Sequence, residues 1–191
     1  PGGQVFRAVE FPDGRRAAYV GKRGKYERCL VLDGVEGKWY TNDTFEPVFS
    51  SDSRHLAYTA RTDTRWVLVS DGEEVITGQE RAVACAFSPD SRHFGAVLHE
   101  RGRDVVQIDG QRGAAYDRIT AFTITADGPP RFLAQSGERT LLVTGATERE
   151  LPGYASGLIV SSDGTRVAYR TGPFRQAAAV IDGVAGPTYL D

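Results

Sequence analysis

The chain has 191 residues, 40% of them hydrophobic and 25% charged, with a formal net charge of −2. That supplies the core of a usual single domain, lacks the basic excess of a surface dominated by nucleic-acid binding, and contains no run of about 18 apolar residues able to span a membrane. The two cysteines, Cys29 and Cys85, form no motif, and unpaired thiols packed as small hydrophobes are expected. The chain opens on Pro1-Gly2-Gly3 and contains no Met, so any signal or anchor is expected to have been removed, and the compartment is left open.

Read from the N-terminus, short apolar runs alternate with Asp/Gly/Ser turns, the pattern of strands and hairpins. Val5 to Phe11 opens the first unit, followed by a turn at Asp13, a strand through Ala18 and Tyr19, a polar loop, and VLDG at Asp33. The second unit is clearest: Pro47 to Phe49, a turn at Ser51-Asp52-Ser53, Leu56 to Thr59, a polar loop around Thr62-Asp63-Thr64, Trp66 to Val69, Asp71-Gly72, then Val75 and Ile76. The third runs from Ala82 to Phe87 through Asp90 to QIDG at Asp109. The fourth, Thr120 to Thr125, meets Asp127 and then Gly128-Pro129-Pro130, which predicts an altered turn, and it has VTG in place of the second Asp marker. The fifth has Gly157 to Val160, Asp163 and VIDG at Asp182.

The first marker recurs at Asp13, Asp52, Asp90, Asp127 and Asp163, with spacings of 39, 38, 37 and 36. The second follows about 20 residues later, and three copies continue to Tyr40, Tyr116 and Tyr189. Asp-Gly between apolar runs is a strong hairpin signal, because the tight turn needs positive φ. Four strands per unit at a period near 40 describe a propeller blade. The predicted fold is therefore all-β, a five-bladed β-propeller of four-stranded antiparallel blades, with residues 1–191 one domain; it is either a small complete ring or a piece of a larger one, and the near-equal division of the chain favours the complete ring. Small residues five positions after the first Asp (Ala18, Ala57, Gly95 and Ala168) would let blades approach closely, and the three tyrosines are expected to pack as structural residues.

The units FSPDSRHFGAVL…VVQIDG and VSSDGTRVAYR…AVIDG resemble the WD-repeat-like, TolB-type propeller repeats, also found in prolyl oligopeptidase lids. The resemblance covers the whole chain. It implies the fold and little about function, since such repeats serve many roles. Relatives of this type usually have six or more blades, and the resemblance is compatible with a periplasmic or extracellular protein.

The two sets of Asp turns should share one face, and the second-to-third loops and blade-to-blade connections the other. Variable loops on a rigid scaffold are the usual place for binding. There the chain puts Lys22, Arg23 and Lys25, then Arg61 and Arg65, Arg101 and Arg103, Arg139, and Arg170 and Arg175, against Asp43, Glu80 and Asp117 in the connections. The binding candidates are Arg23, Lys25, Arg61, Arg65, Arg101, Arg103 and Arg175, a basic rim for an acidic protein or another anionic ligand; solvated loop charges explain the same pattern more simply. A monomer is expected.

No catalytic constellation emerges, and no cofactor or metal is assigned. The turn aspartates could suggest Ca²⁺, but Asp recurring once per turn reads as turn chemistry. His55 and His93 share one repeat slot with Arg16 and Arg166, which reads as structural, and His99 begins a loop. A glycosidase needs paired carboxylates on the innermost strands, where only Glu10 and Glu46 are offered. There is no GxSxG. The reading is a non-catalytic binding or scaffolding module, with a hydrolase at the central channel as the alternative.

Overall fold

Four of the second-marker turns close with consecutive positive-φ residues: Asp33 (50°) and Gly34 (84°), Asp71 (50°) and Gly72 (89°), Asp109 (48°) and Gly110 (83°), and Asp182 (51°) and Gly183 (86°). That is the backbone of a two-residue type I′ hairpin, and Asp tolerates the left-handed region better than most residues. In the computed structural model, which describes residues 4–41, 47–63, 65–78, 81–126, 128–172 and 176–190, these hairpins join the third and fourth strands of blades 1, 2, 3 and 5.

The strands fall into five blades. Blade 1 is β1 (Gln4–Glu10), β2 (Ala17–Arg23), β3 (Glu27–Leu32) and β4 (Val35–Thr41). Blade 2 is β5 (Val48–Phe49), β6 (Leu56–Arg61), β7 (Trp66–Ser70) and β8 (Glu73–Gly78). Blade 3 is β9 (Arg81–Phe87), β10 (Phe94–Glu100), β11 (Arg103–Ile108) and β12 (Gln111–Tyr116). Blade 4 is β13 (Arg118–Ile124), β14 (Pro130–Ser136), β15 (Arg139–Thr144) and β16 (Thr147–Leu151). Blade 5 is β17 (Ala155–Val160), β18 (Val167–Thr171), β19 (Gln176–Ile181) and β20 (Val184–Leu190). Each sheet pairs its strands in sequence order and antiparallel. No helix occurs among the described residues, so none there is long and apolar enough to cross a membrane. The first strands β5, β9, β13 and β17 approach one another from blade to blade, which places them innermost.

The second-marker aspartates hold the blades' second strands. Asp33, Asp71, Asp109 and Asp182 accept the backbone N–H of Ala17, Leu56, Phe94 and Val167 at 3.1, 2.9, 3.0 and 2.8 Å. The other carboxylate oxygen meets Arg16 (2.7 Å), His55 (2.8 Å), His93 (2.6 Å) and Arg166 (2.9 Å). The shared His/Arg slot is thus a structural clasp, with either side chain able to donate. The first-marker aspartates are turn residues too: Ser50, Ser88 and Ser161 each donate to Asp52, Asp90 and Asp163 at 2.6 Å. The fourth unit's turn is shorter by one residue. Thr125 N–H donates to Pro129 O, four positions on, where Ser50 N–H donates to His55 O, five on. Asp127 lies outside the described residues.

Four buried clusters lie between successive blades. Leu30 and Val20 meet Val67 and Tyr58 between blades 1 and 2, and Leu68 meets Leu98 between 2 and 3. Val97 and Val106 meet Phe132 and Val143 between 3 and 4, and Leu133 and Leu142 meet Tyr169 and Val180 between 4 and 5. None of the four clusters joins blade 5 to blade 1 among the described residues. The expectation for the tyrosines also divides: Tyr40 and Tyr116 are 2% and 5% exposed, whereas Tyr189 is 67% exposed. Cys29 and Cys85 form no disulfide, and Cys29 is buried.

Candidate functional site

The β2–β3, β6–β7, β10–β11 and β14–β15 loops share one face with the blade-to-blade connections, as strand order and antiparallel pairing require. Arg23 forms a two-point bridge to Glu27 (3.1 and 3.0 Å) and lies 4.4 Å over the Trp39 ring. That hydrogen bond raises the Arg23 pKa and holds the Glu27 carboxyl below its ordinary value. The Lys25 ammonium sits 5.0 Å over Tyr26. Arg65 reaches Glu74 at 3.1 Å, where Lys38 also binds at 2.6 Å, and these cations, Lys38 first, keep the Glu74 carboxyl low. Arg103 faces Asp117 at 3.6 Å and donates to Ala115 O at 2.7 Å. Arg101 occupies a positive-φ turn position (48°) and is exposed. Arg175 lies outside the described residues, as do Asp43, Glu46 and Glu80. Most of the described rim cations are therefore engaged with a carboxylate or an aromatic ring, and pairs at such exposed sites stabilise a fold only weakly.

One aromatic carries two cations. The Arg61 and Arg81 guanidinium carbons lie 5.5 and 4.8 Å from the Trp66 ring centroid. Arg81 also lines a cleft of about 730 Å³ at the N-terminal ends of β9, β13 and β17. His99, Asp104, Asp117, Arg118, Tyr154 and Ser156 contribute to its walls. Asp104 is 5% exposed; it bonds His99 Nδ1 at 2.7 Å and accepts the Ile119 N–H at 2.8 Å. Asp117 accepts the Gly137 N–H at 2.6 Å. Both carboxylates are thus tied to groups that hold β11, β13 and the β14–β15 loop in place.

Among the described residues no hydroxyl or thiol hydrogen-bonds to His99. Glu10 is exposed at the end of β1 and pairs with Ala17. No three His, Cys, Asp or Glu side chains converge as a metal site among the described residues. The Asp104–His99 pair escaped the sequence reading because blades 1, 4 and 5 place Arg28, Thr140 and Ala177 at the position of Asp104. The signal available was a lone acid at the head of the apolar DVVQI strand, five residues after a histidine.

With this geometry established, the fold defines a β-propeller built from TolB-like and WD40-like blades. The chain is similar to TolB from Acinetobacter baumannii, at 16% identity and a TM-score of 0.59 over 98% of this chain and 56% of that one. It is similar to the Cps50 (Swd1) β-propeller domain of Myceliophteria thermophila, at 12% identity and 0.55 over 98% and 75%, and to the Dos1 propeller, at 9% and 0.57 over 97% and 57%. The chain thus spans little more than half of the TolB and Dos1 chains. At these identities the likeness is one of fold. No family model and no curated protein matches the sequence.

Proposed function

We propose that residues 1–191 act as one non-catalytic binding or scaffolding propeller that engages an acidic protein segment through its loop face. The observation that carries this reading is Arg81, which stacks on Trp66 and also lines the cleft, joining the cation–aromatic shelf of blade 2 to the cavity walled by Arg118 and Tyr154. Cations over an indole and beside an open cleft attract carboxylates, while the rings add apolar contact area. A channel hydrolase is less well supported, because Asp104 and Asp117 are occupied by protein donors.

The test is titration of Trp66 fluorescence with an acidic peptide, alongside capture of partners at low and high salt. Arg61→Glu with Arg81→Glu should weaken peptide binding at least about tenfold, and salt should weaken the parent protein's binding, since exposed charges are screened beyond about 8 Å at physiological ionic strength. Binding that survives both the reversal and high salt rules out the mechanism. Arg101→Glu and Arg103→Glu extend the test to blade 3.

A further inference from the structure

Blade 4 departs from the other blades along one cross-strand row. Where the second strands of blades 1, 2, 3 and 5 place Ala18, Ala57, Gly95 and Ala168, blade 4 has Arg131. Thr123 of β13 and Thr144 of β15 flank it, and Thr147 of β16 completes the row. Leu133, two residues further along β14, packs with Tyr169 and Val180 of blade 5, and the alternation of a strand puts Arg131 on that same side. The next row, Leu133–Leu142–Arg149, adds a second cation. A Cβ on Gly183 would lie 3.4 Å from Arg149 Nη1, so this guanidinium reaches the Asp182–Gly183 turn of blade 5.

Neither arginine is neutralised. The Arg131 Nε is buried and has no hydrogen-bond partner. Among the described residues no ion pair or side-chain hydrogen bond engages Arg131, Arg149 or the three threonines. The cause is local. Gly145 stands where the other blades have the clasp aspartate, since its N–H donates to Pro130 O as the Asp71 N–H donates to Leu56 O. Pro130 offers no N–H for a carboxylate to accept, and blade 4 has lost the carboxylate as well. Glu148 and Glu150 of β16 pair with Val143 and Leu141, so they lie on the opposite side, toward blade 3. In blade 5, Asp182 is held by the Val167 N–H and Arg166, and Asp163 by Ser161 and Thr165. A buried polar atom without a partner is rare in a folded protein, and a ligand is one reason for it.

We propose that this seam between blades 4 and 5 binds a phosphate group, with Arg131 and Arg149 as the charged donors and the Thr144 and Thr147 hydroxyls beside them. Strands lie about 4.8 Å apart and alternate residues about 7 Å, so the two arginine positions are about 12 Å apart, a gap that their side chains close on one anion. A guanidinium grips two oxygens of an oxyanion as a fork. A phosphate monoester carries about −1.5 to −2 charges and three acceptor oxygens, which suits two cations and the hydroxyls. A carboxylate, with one charge and two oxygens, leaves part of the set unmet. The seam opens on the face of the Asp turns, opposite the loop face that carries Trp66 and Arg81, so it is a second site.

Titration of isotope-labelled protein with inorganic phosphate, at an ionic strength held constant with chloride, tests this through the Arg131 Nε–H resonance. That resonance should shift and saturate with a Kd of about 1 mM, and Arg149→Gln should weaken binding at least about tenfold. Arg131→Ala installs the residue that blades 1, 2 and 5 already hold there, so the fold should persist. Phosphate should raise the thermal midpoint of the parent protein and leave that of Arg131→Ala unchanged. Arg61→Glu with Arg81→Glu should keep the phosphate response, which separates this site from the loop face. An O-phosphoserine peptide that binds at least about tenfold tighter than inorganic phosphate identifies a modified side chain as the source, and one that binds no tighter identifies the free ion. A shift that never saturates, a phosphate response retained in Arg131→Ala, or acetate acting as strongly as phosphate overturns the proposal.

Discussion

The Tyr116 hydroxyl of blade 3 donates to Glu148 of blade 4 at 2.6 Å, so one buried phenol pins two neighbouring sheets. Burial first, and then the Glu148 carboxylate, push its pKa far up, so the ring stays a neutral donor across the physiological range. Tyr116→Ala should cost about 3–5 kcal/mol, as aromatic truncations in cores do. Tyr116→Phe should cost about 1.5–3 kcal/mol, the range for a hydrogen bond to a charged group. Urea unfolding followed by fluorescence measures both, and a loss below about 1 kcal/mol for the alanine variant would place the ring outside the core.

The Asp71 turn separates backbone need from side-chain identity. Asp71→Ala removes two hydrogen bonds and puts a poorly suited residue at φ 50°, which should cost about 1–3 kcal/mol. His55→Arg should stay within about 0.5 kcal/mol, because Arg16 and Arg166 already fill the equivalent slot as donors to Asp33 and Asp182. Thermal midpoints of the two variants make the comparison; equal losses would contradict it.

Acid should weaken the first-marker turns. The Ser161 hydroxyl, then the Thr165 N–H and hydroxyl, hold the Asp163 carboxyl down at about 2, and Ser50 and Ser88 lower Asp52 and Asp90 in the same way. A folded pKa below the unfolded value of about 3.9 means stability that is present above pH 4 and lost as pH falls through about 2. Denaturant midpoints should therefore decline across that window. Asp163→Asn should remove its share of the slope, and an unchanged slope would assign the acid response elsewhere.

Gly95 is the tightest of the small positions on the second strands. A Cβ there would overlap Ile108 Cδ1 and come within 2.7 Å of Gln107 O. Gly95→Ala should cost about 1–3 kcal/mol by overpacking, although alanine occupies the equivalent sites at Ala18, Ala57 and Ala168. A neutral substitution would mean that the blade 3–blade 4 interface can relax.

The repeat was legible because its determinants are local. Asp-Gly turns, the Ser–Asp hydrogen bond two residues apart and the alternation of each strand depend on neighbours in the chain, so spacing alone revealed five units and their faces. That the fourth unit's turn is altered was visible in Gly128-Pro129-Pro130 for the same reason, though not that it is shorter. The rim was read only in part. Its cations were found by counting, but their pairing with Glu27, Glu74 and Asp117 and the stacking on Trp39 and Trp66 depend on side-chain reach between strands and blades. The cleft was missed because Asp104 departs from the repeat and draws its partners from other strands.

Tyr40, Tyr116 and Tyr189 mark the boundary between the two kinds of information. Their local sequences place all three at the same point of the fourth strand, and the sequence by itself determined that position. Whether the ring is buried was decided only in three dimensions, since it depends on a blade lying against it with an aromatic and a carboxylate in register. Two tyrosines meet that neighbour and the third faces outward. Strand geometry is set by contacts close in the chain, whereas burial is set by what arrives from far away.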